Sequence, residues 1–155
     1  MTEINKILIG VAALAATIAG CWIGGIRLNL SSSMPIGIYR VVTAKEAGHG
    51  DLVTVRLTGL AESLALSRGY LPDAGVDVLK RVAAAPGESI PLHSFRRFET
   101  DKNGLAMPLP DEIPLKAGKN EYFIVGDAER SYDSRYFGLI SGDQITAVVR
   151  PVFTL

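Results

Sequence analysis

Between Ile7 and Ile26 the chain reads ILIGVAALAATIAGCWIGGI, twenty residues without a charge and with Thr17 as the single hydroxyl. As a helix this run is about 30 Å long, the thickness of a bilayer's hydrocarbon core. Trp22 stands near its far end, where an aromatic ring favours the membrane interface, and Lys6 and Arg27 bracket it. A cleavable export signal is the competing reading. Such a signal has an apolar stretch of about 7–15 residues and small residues at the cut. Thr17-Ile18-Ala19 matches that cut poorly and the run is too long. The expectation is a retained single-pass anchor over residues 7–26, six residues ahead of it, and one domain over residues 27–155. Charge leaves the orientation open. One lysine precedes the run, while Arg27, Arg40 and Lys45 follow it, but large domains cross membranes largely regardless of such a bias.

Lys plus Arg and Asp plus Glu both number 16, so no basic face is available and a nucleic-acid partner is not expected. The 16 glycines and 8 prolines are dispersed, which fits strands joined by turns better than disorder. Cys21 is the single cysteine and cannot form an internal disulfide. With His49 and His93 it makes no metal-ligand spacing, so neither a metal nor a cofactor is expected.

Past the apolar run, GIYRVV and GDLVTVRL read as strands, the second alternating Leu52, Thr54, Arg56 against Val53, Val55, Leu57. GLAESLALSR repeats Leu60/Leu64 and Ala61/Ala65 at four-residue spacing, predicting a short helix over 59–68 inserted between strands. VDVLKRVAAA is a strand closed by the turn PGE. Residues 89–121 read as irregular, EYFIVGD as a strand and turn, and QITAVVRPVFTL as one or two strands. The fold class is mostly β, antiparallel and partly barrel-like.

Four stretches in this order, SSSMPIGIYR, GDLVTV, LKRVAAAPGE and GDAERSYDSRYFG, together resemble the type I signal peptidases. The resemblance covers most of residues 5–152. In Ser33-Met34-Pro35, followed by Gly37 and Tyr39, no residue separates Met from Pro, as one usually does in the general enzymes. This SMPxGxY form is similar to the conjugative-transfer, TraF-like branch, whose members mature pilin subunits of type IV secretion systems.

The resemblance implies a signal-peptidase-like domain and a serine/lysine dyad: Ser33 as nucleophile and Lys80 as general base. A serine hydroxyl needs a base within about 3 Å, and a lysine serves when burial lowers its pKa from about 10.4. Val78, Lys80 and Val82 share one strand face; Leu79, Arg81 and Ala83 share the other. Periodicity alone favours a surface Lys80–Arg81 pair with packed stems; the resemblance reverses that preference and turns Arg81 away. It also implies oxyanion donors from the Ser33 N–H and the Ser31 hydroxyl, a Ser131 hydroxyl that orients the lysine amine, and an Asp133–Arg135 ion pair supporting the loop. The loop is one residue shorter than in the general enzymes and carries Ala128 where they carry Asn.

By the same resemblance the domain faces the periplasmic side of the bacterial cytoplasmic membrane. The partners are membrane lipid and a membrane-bound preprotein or prepilin substrate. Seven residues separate Ser33 from Ile26, at most about 25 Å of extended chain, which keeps the nucleophile near the membrane. A general preprotein signal peptidase and a non-catalytic scaffold of the secretion apparatus are the alternatives. The sequon Asn29-Leu30-Ser31 reads as accidental in such a bacterial family.

Overall fold

A computed structural model of the chain describes residues 3–43, 46–110 and 112–155, without the side chains at 18, 19, 21–23 and 43. The positions expected of Trp22 at the interface and of Lys45 therefore lie outside the described residues. Helix α1 runs Glu3–Ile23, starting ahead of the apolar run and stopping before its end. Gly25, at φ 76°, turns the chain, and Ile26 opens strand β1, Ile26–Asn29, which sequence periodicity had not separated from the run. Among the described residues no helix is long and apolar enough to cross a membrane.

The domain is one antiparallel sheet. To β1 it adds β2 (Gly37–Thr43), β3 (Leu52–Arg56), β4 (Asp77–Ala84), β5 (Glu121–Val125), β6 (Ile140–Ser141) and β7 (Ile145–Thr154), in the order β1-β2-β7-β3-β4-β5-β6. Every pairing is antiparallel. The sheet is an open half-barrel bounded by β1 and β6. Register shifts between Ile38 and Tyr39, Val41 and Thr43, Thr54 and Val55, and Val82 and Ala84 bend it, because an extra residue on one strand kinks it and increases its twist.

The C-terminal segment is a single strand with two partners. β7 pairs with β3 up to Val149 and with β2 from Val148 to Thr154. Pro151 lies beyond the β3 pairing, on a stretch bonded along one side only, where a missing N–H breaks no ladder. Helix α2 (Gly59–Ser67) lies where its four-residue spacing predicts. Ala65 is buried, whereas Leu60 is 90% exposed. Residues 89–121 hold a 3-10 turn at Leu92–Ser94 and two isolated bridges, Ser89 with Lys116 and Thr100 with Ala106. Helix α3 (Ser134–Phe137) and β6 are too short to leave a periodic signal.

The main core gathers Val53, Val55, Leu57, Val82, Tyr122, Ile124 and Val148 on one side of the sheet. A smaller cluster holds Met34, Tyr39, Leu79, Ala147 and Val149. β4 lies between these groups. It sends Val82 into the first and Leu79 into the second, and Lys80 stands opposite the fully buried Val53 of β3.

Candidate active site

Ser33 sits in the loop between β1 and β2, and the residues that follow it hold that loop against the sheet. Met34 is 2% exposed, packs in the smaller core cluster, and its Sδ accepts the Asp127 N–H at 3.3 Å. A Cβ on Gly37 would overlap the Phe153 carbonyl oxygen, so β7 can approach only a glycine there. The Tyr39 hydroxyl donates back to the Pro35 carbonyl at 2.7 Å. The SMPxGxY pattern thus consists of a buried anchor, a close backbone approach and a tether.

Lys80 is 3% exposed. Its Nζ donates to Ser33 Oγ and to Ser131 Oγ, each at 2.9 Å. Burial pulls the Lys80 pKa down to about 8; the Asp133 carboxylate opposes that shift, and the Arg135 guanidinium adds to it. An amine in this position is neutral in a large fraction of molecules near pH 8 and can then accept a proton from the serine it touches. Ser31 Oγ lies 3.0 Å from Ser33 Oγ, close enough to share a hydrogen bond. Four of the residues expected at the site, Ser31, Ser33, Lys80 and Ser131, are therefore within one connected set of contacts.

Asp133 and Arg135 are buried beneath this set rather than lying on a surface turn. Arg135 grips Asp133 with Nε to Oδ1 at 2.8 Å and Nη2 to Oδ2 at 2.8 Å. The same guanidinium donates to the carbonyls of Glu129 (2.8 Å), Arg96 (3.0 Å) and Ser131 (3.2 Å). Asp133 also accepts the Gly126 N–H at 2.9 Å and caps α3. The pair therefore fixes both ends of the loop that presents Ser131. The shortened spacing and Ala128 do not displace that hydroxyl. Ala128 contributes its backbone instead, its N–H donating to the Ser33 carbonyl at 3.1 Å.

Sequence reasoning gave Arg81 and Asp127 no task. On the opposite face of β4 from Lys80, Arg81 holds Asp127 with two bonds of 2.9 and 2.7 Å. Asp127 follows Gly126 in the same loop, so β4 contacts the loop from both faces. The signal was available as the Lys-Arg and Gly-Asp dipeptides, though spacing alone does not pair them.

Gly126 makes the close packing possible. A Cβ there would overlap Ser131 Oγ and lie 2.8 Å from the Ser33 carbonyl oxygen. Gly126→Ala is expected to push Ser131 off the Lys80 amine and lower turnover by about a hundredfold, since about 1 Å of misplacement costs that much. Equal kcat values for wild type and variant would show that the contact is dispensable.

A cleft of about 680 Å³ opens over the site, lined by Leu30, Ser33, Tyr70, Val78, Lys80 and Ser131 among others. β5 pairs with β4 only from Arg81 onward, so among the described residues the edge of Asp77–Lys80 opposite β3 has no strand partner. A second cleft, about 840 Å³, lies between α2 and α3 and includes neither Ser33 nor Lys80. Among the described residues no group of three or more His, Cys, Asp or Glu side chains is placed to hold a metal.

Comparison with known proteins identifies the family. Residues 93–154, which include Ser131, Asp133 and Arg135, match the family model of signal peptidase, peptidase S26. The chain is 31% identical to a plasmid transfer protein TraF of Escherichia coli, over 96% of this chain and 93% of that protein. It is 33% identical to a conjugal transfer protein TraF of Agrobacterium fabrum, over 94% and 93%. A probable conjugal transfer protein TraF of Sinorhizobium fredii is 31% identical over 97% and 90%. Relatives this similar over nearly the whole length make the chain a TraF-like member of the signal peptidase superfamily.

Proposed function

We propose that the protein is a membrane-anchored serine endopeptidase that cuts signal sequences, with a pilin precursor for conjugative transfer as its substrate. The observation that carries this reading is the 2.9 Å contact between Ser33 Oγ and the buried Lys80 Nζ. Neutral Lys80 removes the Ser33 proton as Oγ bonds to the scissile carbonyl carbon. The Ser31 hydroxyl and the Ser33 N–H donate to the resulting oxyanion. The carbon–nitrogen bond then breaks, and the leaving amine takes the proton from the Lys80 ammonium. Neutral Lys80 then takes a proton from water as its oxygen bonds to the ester carbon, the acyl–Oγ bond breaks, and Ser33 Oγ takes that proton back from Lys80. Ser131 orients the amine, and Asp133 with Arg135 holds Ser131.

The substrate lies extended in the cleft, adding a strand to the open edge of Asp77–Lys80. The anchor is the apolar run within α1. Support comes from its uncharged length and from the exposure of Ile4, Ile7, Leu8, Ile9, Val11 and Leu14 along the helix. Leu28 and Leu30, exposed on and just after β1, extend the apolar surface toward the cleft. In this reading the catalytic domain faces the periplasm, where a signal sequence emerges from the bilayer.

The test is to incubate the full chain in detergent or vesicles with purified pilin precursors and read product masses. A new terminus after a small residue supports the reading, and intact precursor from every conjugation system tried refutes it. The pH profile follows from the amine. Lys80 must be neutral, so kcat/KM should rise with pH and level off above about 8, with activity at pH 6 about a hundredfold below the plateau. A rate that falls between pH 6 and 9 would exclude Lys80 as the base.

A further inference from the structure

Asn29, the last residue of β1, is 8% exposed, and its side chain is surrounded by the loop that carries Ser33. Nδ2 faces three carbonyl oxygens, of Ser31 at 3.0 Å, Met34 at 3.2 Å and Pro35 at 3.0 Å. Oδ1 accepts the Ser31 N–H at 3.3 Å and the Ser31 hydroxyl at 3.0 Å. Carbonyl oxygens only accept and a backbone N–H only donates, so the network admits one orientation of the carboxamide. One side chain thus contacts the loop on both sides of the nucleophile, at Ser31 before it and at Met34 and Pro35 after it. Ser31, Ser32, Pro35 and Ile36 are themselves exposed and outside any strand or helix, so burial of their own side chains cannot fix their path.

We propose that Asn29 is the positioning residue of the nucleophile loop, a carboxamide template that sets Ser33 against Lys80 and aims the Ser31 hydroxyl. The proposal rests on the Ser33/Lys80 reading for its kinetic part only. The proton count gives the second role its content. Ser31 Oγ lies 3.0 Å from both Asn29 Oδ1 and Ser33 Oγ but has one proton to give. Oδ1 can only accept, so in the resting state the Ser31 proton points to Asn29 and Ser31 accepts from Ser33 while Lys80, as an ammonium, donates to Ser33. Once an oxyanion forms, the Ser31 hydroxyl turns toward it. Oδ1 keeps the Ser31 N–H throughout, so the turn leaves no buried acceptor unpaired. Alanine, serine or an apolar residue at 29 could not offer two donors and a shared acceptor together.

Two variants test this. Asn29→Ala removes every contact. Asn29→Asp keeps the shape and both acceptor bonds but sets a carboxylate oxygen against the three carbonyls. Crystal structures of the full-length variants are read first, because they need no substrate. Ser33 Oγ should move beyond 3.5 Å from Lys80 Nζ while the sheet stays in place. If it remains within that distance in whichever variant folds, the proposal is wrong. If neither variant folds, Asn29 serves general stability and the proposal is equally wrong. With cleavable precursor in hand, kcat should fall about a hundredfold with KM within twofold of wild type. The loss from Asn29→Ala should also shrink when Ser31→Ala is already present, since part of it acts through that hydroxyl. Unchanged kcat in both variants overturns the proposal. Precursor left intact by the wild type refutes the peptidase reading instead, and the crystallographic result still decides Asn29.

Discussion

Lys80→Ala is expected to lower precursor cleavage by about ten-thousandfold, leaving the residual rate that binding and oxyanion donors alone support. Ser33→Ala should match it, because neither group has a substitute within reach: His49 is exposed and bound to Glu88 at 3.2 Å, and His93 is exposed in the 3-10 turn. The double variant should be no slower than either single one, since the two groups act as a unit. Accumulation and thermal unfolding of each variant would be measured alongside. Those measurements separate lost chemistry from lost folding, since Lys80→Ala relieves the cost of a buried ammonium but leaves a cavity and removes a partner of Ser131. Substantial cleavage by either single variant would refute the dyad.

The second large effect concerns stability. Arg135→Ala should destabilise the domain by about 3–5 kcal/mol, because it strands the Asp133 carboxylate, which is 0% exposed, without its counter-charge. For a chain of this size that is about 6–20 °C in unfolding midpoint. The carbonyls of Arg96, Glu129 and Ser131 lose a donor in the same step. Arg135→Lys keeps the charge but not the planar fork, so its loss should be intermediate. A midpoint within 2 °C of wild type for Arg135→Ala would mean that water replaces the guanidinium, and that the pair is not the loop's support.

The positions of the middle strands along the chain were largely legible because Gly, Pro or Asp residues bound them. The ambiguity between Lys80 and Arg81 was not resolvable locally, since both have apolar neighbours on their own faces. What separates them is tertiary: Lys80 meets Val53 and Ser131, Arg81 meets Asp127. β1 was hidden because Ile26 and Leu28 continue the hydropathy of the preceding run, and only Gly24-Gly25 marks the change of direction. The spacing located α2 but not its buried side, because a nine-residue helix has too few turns for its stripe to be assigned one. Asn29 fitted a glycosylation pattern, while four of its five partners are backbone atoms, which no side-chain pattern encodes.

Strand order makes one demand on the site. Ser33 hangs from the β1–β2 end of the sheet and Lys80 belongs to β4, with β7 and β3 ranked between β2 and β4. On a flat sheet, three to four spacings of about 4.8 Å would hold their backbones about 14–19 Å apart, more than a lysine stem can bridge. Only rolling of the sheet brings the hydroxyl over the amine. The irregularities in the β2–β7 and β3–β7 pairings, which lie between the two groups, therefore help to set that approach, and flattening one should lengthen the Ser33–Lys80 contact without altering either residue.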